Sequence, residues 1–224
     1  MTETTLSHAD ARAVYDRIGS WQDTQAFYED RATNDLIAHA ELGTAQSLFE
    51  FGSGTGRIAE QLLREHLSAT AGYRGLDIST TMVNLAQKRL APWRERAVVE
   101  QSNGSPRIPA PDGAFDRFLS TYVLDLLSVE DIRTVVDEAY RVLMADGLLC
   151  LVSASPGQTT LERLVMGIAA RAHALSPRLV GGCRAIELQR FVTPDRWRVV
   201  HRNVISKWGI VSEVLVAKRG RGST

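Results

Sequence analysis

The chain has 224 residues, 44% of them apolar and 23% charged, which suits one α/β domain with a full core and excludes a disordered chain. Its 26 basic and 26 acidic residues balance, so no overall field draws it to nucleic acid or an anionic membrane, and two cysteines are too few for a disulfide framework. No stretch approaches the roughly 20 apolar residues that span a bilayer, and Met1–Thr5 lacks the basic start of a secretory leader, so the expected location is cytoplasmic.

Residues 7–41 read as helical. Ser7 and Asp10 have capping-box spacing, and Val14, Tyr15 and Ile18 follow on one face. After the Gly19-Ser20 break a second helix carries Phe27, Leu36, Ile37 and Ala40, with Gly43 closing it. Ser47–Phe51 then reads as a strand, followed by a glycine-rich turn and a helix over Arg57–Glu65. Gly72–Leu76 is a second strand, despite Arg74. A helix over Ser79–Leu90 has Ser79 as its N-cap and turns Met82, Val83, Leu85, Ala86 and Leu90 inward. Ala97–Gln101 is a third strand, Ser102–Gly113 a loop and Ala114–Ser120 a fourth strand. The amphipathic helix Val129–Met144 leads through an Asp146-Gly147 turn into the strand Leu148–Ser153.

The last third adds a helix over Thr159–Leu175, an aperiodic stretch Pro177–Pro194, and two strands, Trp197–Ile205 and Gly209–Ala217, joined by the turn Ser206–Gly209. Strands alternating with helices predict a parallel sheet wound by right-handed crossovers, and the terminal hairpin makes its last strand antiparallel. No linker or repeat divides the chain. It is expected to form one domain: a helical cap (1–43), a core (47–155), a substrate-side helical segment (156–195) and the hairpin (196–218).

Small ligands of open α/β sheets bind at the carboxyl ends of the strands. There the first turn reads Glu50-Phe51-Gly52-Ser53-Gly54-Thr55-Gly56, whose glycines permit tight turning and close approach. Asp77, ending the second strand 21 residues beyond Gly56, is placed to accept hydrogen bonds from a ribose hydroxyl pair. The spacing is G-x-G-x-G, not the G-x-G-x-x-G of a dinucleotide site, and an acidic residue precedes it. Glu50 would repel a pyrophosphate and suit an ammonium group.

The run Ser47–Ala59 resembles the first motif of class I S-adenosylmethionine methyltransferases, and Gly75–Met82 looks like their second. Ile108–Asp116 and Glu138–Leu149 are similar to their segments leading into the fourth and fifth strands. The resemblance implies a Rossmann-like three-layer sandwich with a seven-stranded, mostly parallel sheet whose last strand is antiparallel. The N-terminal helices and a helical insertion before the last two strands would form its cap. It implies S-adenosylmethionine as cofactor, S-adenosylhomocysteine as product and no metal. Glu50, Gly52, Ser53 and Gly54 would hold the methionine part, Asp77 the ribose, and Ile78 and Met82 the adenine. Ser102, Asn103 and Gly104 stand where the family usually has an acidic adenine contact, and Asn103 offers a side-chain carbonyl instead. Ser120 and Tyr15 complete the expected set, Tyr15 by closing over the cofactor.

Methyl transfer requires chiefly alignment, so no catalytic constellation is needed, and none stands out. Tyr122 and Asp125, after the fourth strand, and His173 are the candidate acid–base groups, with His201 behind them. No Asn-Pro-Pro-aromatic or Asp-Pro-Pro-aromatic tetrapeptide marks a base methylase, so a small, hydrophobic or aromatic molecule is the expected partner, methylated on O, C or N. Tyr15, Trp21, Phe27, Tyr28, Leu164, Ile168 and Phe191 are available to wall its pocket. Tyr15-Asp16-Arg17-Ile18 weakly resembles the entry helix of ubiquinone and menaquinone methyltransferases. A phospholipid head-group amine is an alternative acceptor. A non-catalytic cofactor-binding scaffold and an NAD-dependent oxidoreductase are the competing classes. The oligomeric state is left open.

Overall fold

The computed structural model describes residues 7–157, 159, 162, 183–207 and 209–220, without side-chain placement for 25–28. Seven strands form one sheet: β1 (Ser47–Phe51), β2 (Gly72–Asp77), β3 (Ala97–Gln101), β4 (Phe115–Thr121), β5 (Leu143–Ala154), β6 (Trp197–Lys207) and β7 (Ile210–Arg219). Their order is β3-β2-β1-β4-β5-β7-β6, parallel from β3 to β5, with β7 antiparallel to both neighbours. The order reverses between β1 and β4, and the cleft described below opens there, at the carboxyl ends of the strands.

Among the described residues, five α-helices flank the sheet: α1 (His8–Ile18), α2 (Ala26–His39), α3 (Arg57–Gln61), α4 (Thr80–Arg89) and α5 (Val129–Val142). Ala32, Leu36 and Ala40, with Leu62 after α3 and Val83 and Ala86 of α4, fill one face against Leu48, Val214 and Val216. Ile132, Val135, Val136 and Ala139 of α5 fill the other against Phe49, Phe118 and Leu151. Burial of such side chains supplies roughly 1.5–3 kcal/mol each, so these faces hold the helices in place. By contrast α1 contains no buried residue.

Several boundaries differ from the sequence reading. Gly19–Gln25 winds as a 3-10 helix, which shortens the second helix. Gly43 lies inside a 3-10 turn, and it is Glu41 that adopts the left-handed conformation, at φ 50°. Arg57–His66 begins as α3 and finishes in a π turn over Leu62–His66. The expected Asp146-Gly147 turn is a kink inside β5, with Asp146 at φ 66°. Arg74 is tolerated in β2 because its guanidinium reaches Glu100 at 2.6 Å and the Pro109 carbonyl at 2.9 Å. Thr159 and Glu162 cap each other's backbone N–H groups at 2.9 and 3.3 Å. The rest of the expected helix Thr159–Leu175, with Leu164, Ile168 and His173, lies outside the described residues.

Candidate active site

The glycine turn hangs from β2 by its backbone: Gly52 and Ser53 N–H both donate to the Leu76 carbonyl, at 2.8 and 2.9 Å. Gly52 and Gly54 have φ of 81° and 52°, where an L side chain is strained. At Gly52 a Cβ would stand 2.2 Å from Val123 Cγ2, so its bareness serves packing against the chain after β4. At Gly54 a Cβ would meet no protein atom within 4 Å. The room beside Gly54 belongs to the cleft, whose empty volume of about 1210 Å³ opens to solvent.

Glu50 sits at the root of this cleft, 1% exposed, with its Oε2 accepting from the Tyr73 hydroxyl at 2.5 Å. Gly75 makes that contact feasible, because a Cβ there would lie 2.7 Å from the same hydroxyl. Burial pushes the Glu50 carboxyl up to about 8, against the lowering effect of the Tyr73 bond. Asp77 is raised too, chiefly by burial, and its oxygens accept from Gly54 N at 2.8 Å and Ser79 N at 2.9 Å. The Ile78 backbone N–H also lowers it. Ser53 is buried too, and its side-chain hydrogen bond lowers the Tyr73 phenol against the larger raising effect of burial.

The cleft is lined by Tyr15, Glu50, Gly52, Ser53, Gly54, Asp77, Ile78, Met82, Ser102, Gly104 and Tyr122 of the residues singled out above. Two others are placed elsewhere. Asn103 is exposed, and its Oδ1 accepts from Ser105 N at 2.9 Å in a local turn, leaving Ser102, Gly104 and Ser105 as that wall. Ser120 alternates away from the cleft, as strand periodicity dictates. Fully buried, it donates to the Phe51 carbonyl at 3.0 Å, while Thr121 faces the opening.

Among the described residues, Tyr122 is the acid–base candidate that reaches the wall. It holds φ 55°, uncommon for a bulky residue, and its hydroxyl shares a 2.8 Å hydrogen bond with Ser212 Oγ of β7. Burial raises the phenol above its ordinary range, so it stays protonated. Asp125 is fully buried behind the wall, and burial lifts its carboxyl to about 7, against the lowering effect of the Asp125 and Ala154 backbone N–H groups and of the Arg184 charge. His201 lies on β6, paired with Asp35 at 2.7 Å, and does not line the cleft. Trp21 is 78% exposed and Phe191 packs against the α5-side core, so neither walls the pocket.

The N-terminal cap is held over the cleft by polar contacts. Arg12 of α1 donates to the carbonyls of Ile78 at 3.0 Å and Ser102 at 3.2 Å, and Asp16 accepts from Ser79 Oγ at 2.6 Å and Thr81 N at 3.1 Å. His8 meets Asp131 of α5 at 3.3 Å across the opening. On the opposite side Asp23, Thr55 and Arg89 form a closed triangle of hydrogen bonds of 2.5–2.8 Å. Arg57 pairs with Asp30 at 2.7 Å and with the buried Glu29 at 3.4 Å, tying α2 to the glycine turn. Polar groups of this kind carry no periodicity, and only the Ser7–Asp10 pair at the start of α1 has a local signature.

Residues 49–151 match the family model described as a methyltransferase domain. That segment, somewhat less than half of the chain, is therefore similar to a methyltransferase domain, on a Rossmann-like sheet. It is 25% identical over 166 residues to the O-methyltransferase resE of Aspergillus sclerotiorum, a match covering 69% of this chain and 61% of that protein. The chain thus spans about three fifths of that relative. Among solved structures, the [4+2]-cyclase SpnF superposes with a TM-score of 0.74 at 15% identity, over 99% of both chains. The N-methyltransferase NodS from Bradyrhizobium japonicum WM9, in complex with S-adenosyl-L-homocysteine, gives 0.64 at 16% identity, over 86% of this chain and 87% of that one. These likenesses establish the shared fold.

Proposed function

We propose that the chain transfers the sulfonium methyl group of S-adenosylmethionine to a small, hydrophobic or aromatic acceptor in the cytoplasm. The observation that carries the reading is the pairing of Glu50 and Asp77 at the ends of adjacent parallel strands around a left-handed glycine turn. The donor set fits the cofactor. Glu50 offers a buried carboxyl to an ammonium, Asp77 a carboxylate lining the cleft to a ribose diol, and Gly54 leaves open room between them. Ile78, Met82, Ser102 and Gly104 enclose the neighbouring space for a flat base. When bound, the cofactor supplies an electrophilic methyl group.

The protein's own contribution is alignment and exclusion of water, and alignment alone is worth roughly 7–11 kcal/mol of barrier. Tyr122, fixed by Ser212 and kept protonated, orients an acceptor as a hydrogen-bonding wall, not as a base. Oxygen is the acceptor atom favoured by the O-methyltransferase relative. The likeness in fold to a [4+2]-cyclase keeps in view a second use of the same architecture, one without methyl transfer. A radiolabelled methyl-transfer screen over phenols, quinols, amines and thiols separates the two. Label transferred to phenolic or quinol oxygen supports the reading, and cofactor binding with no transfer to any class favours the other use.

A further inference from the structure

The geometry points to a divalent transition-metal site outside the cleft, formed by Asp35 and His39 of α2 and His201 of β6. Asp35 and His39 are four residues apart, so the helix presents them on one face. His201 reaches them through a β-bulge. The pairing steps from Val199 opposite Ala217 directly to His201 opposite Val216, leaving Val200 as the extra residue. Ala217 belongs to the α5-side core and Val216 to the α2-side core. The bulge therefore switches the face of the strand and aims His201 at α2, a use to which bulges are commonly put.

One donor atom from each of the three residues lies within 4.8 Å of the others. His201 Nε2 stands 2.7 Å from Asp35 Oδ2, and the His39 ring stacks on His201 at 3.5 Å. The surroundings are those of a ligand set. His39 Nδ1 is engaged with the Asp35 carbonyl at 2.8 Å, which leaves Nε2 its lone pair, and Asn203 Nδ2 approaches Asp35 Oδ1 at 3.4 Å. Metal-binding histidines are usually oriented in this way by a carbonyl on the second ring nitrogen.

Two imidazoles and a carboxylate suit zinc, with water in the fourth position. Ligands about 2.1 Å from such an ion sit roughly 3.4 Å apart in a tetrahedron, so Asp35 and His201 need separate by less than about 1 Å, while the His39 ring must turn out of its parallel stack on His201 to bring its in-plane lone pair to the ion. Both side chains are 20% exposed and His39 is 43% exposed, which permits the movement and gives the ion entry. Bound metal would clamp the end of α2 to the edge of the sheet, on the helix whose other end supplies Glu29 and Asp30 to Arg57.

The test uses the untagged full chain and zinc or cobalt(II), read by equilibrium dialysis with elemental analysis and by thermal unfolding with and without chelator. Wild type and the distant control His66→Gln should retain one ion per chain and unfold at higher temperature with metal. His39→Gln and His201→Gln should weaken retention by about tenfold or more, and Asn203→Ala by about 10–100-fold. Circular dichroism confirms that each variant folds, and the exposure of His39 makes His39→Gln the decisive one. Absence of stoichiometric retention by wild type, or equal retention by His39→Gln, would leave a hydrogen-bonded cluster only and overturn the proposal.

Discussion

Substituting Glu50 by Gln should make the fold more stable and the cofactor bind less well, with both effects following pH. The wild-type carboxyl is raised to about 8 from an ordinary 4.5. Below pH 4.5 folded and unfolded chains both hold the proton, and no penalty arises. Between pH 4.5 and 8 the unfolded chain ionises while the folded one does not, so stability falls as pH rises and levels off above 8. At 1.36 kcal/mol per unit, the 3.5-unit interval corresponds to about 5 kcal/mol at the plateau. Gln removes the titration and keeps a carbonyl for the Tyr73 hydroxyl. Urea unfolding of both proteins from pH 4.5 to 9 should show a stability difference that grows to several kcal/mol in favour of Glu50→Gln. A cation docked against Glu50 reverses the preference. At pH 7 about nine-tenths of the unliganded carboxyl is protonated, so binding S-adenosylhomocysteine should release about 0.9 proton more from wild type than from the variant. Calorimetry in buffers of different ionisation enthalpy measures this, the variant cancelling the ligand's own amine. A stability difference flat with pH, or equal proton release, would refute the reasoning.

Gly52→Ala places a methyl carbon against Val123 at φ 81° and should cost about 1–3 kcal/mol or more in chemical denaturation; Gly54→Ala, strained but unobstructed, should cost about 1–2 kcal/mol. Arg12→Ala removes two hydrogen bonds that hold α1, which buries no side chain of its own. Amide hydrogen exchange in residues 8–18 should accelerate about tenfold while the sheet is unchanged, in keeping with about 0.7 kcal/mol for each of the two partly exposed hydrogen bonds. Asp125→Asn should stabilise the chain by about 4 kcal/mol above pH 7, fading as pH falls toward 3.8, because burial holds the folded carboxyl at about 7. Methyl transfer should change little in that variant, since Asp125 does not line the cleft.

The parts of the fold written in local pattern were legible in the sequence. Ser79 does cap α4, accepting from Met82 N at 3.1 Å, and β3 spans the expected Ala97–Gln101. The glycine turn and the two carboxylates followed from spacing along the first two strands. Side-chain direction was harder to read. Ser120 and Thr121 differ only in strand parity, and Asn103 was diverted by a turn with Ser105 two residues on. The bulge at Val200, the Tyr73–Glu50 bond across neighbouring strands and the Arg12 hold on Ile78 and Ser102 depend on contacts 23 to 90 residues apart or on strand pairing. No local period encodes such contacts.

The most direct test of the central claim is calorimetric titration of the full chain with S-adenosylhomocysteine and, separately, with NAD. The cleft built around Glu50, Gly54 and Asp77 predicts one S-adenosylhomocysteine site per chain, weakened at least about tenfold by Asp77→Ala, with no heat from NAD. Binding of NAD alone, or S-adenosylhomocysteine binding indifferent to Asp77, would contradict it.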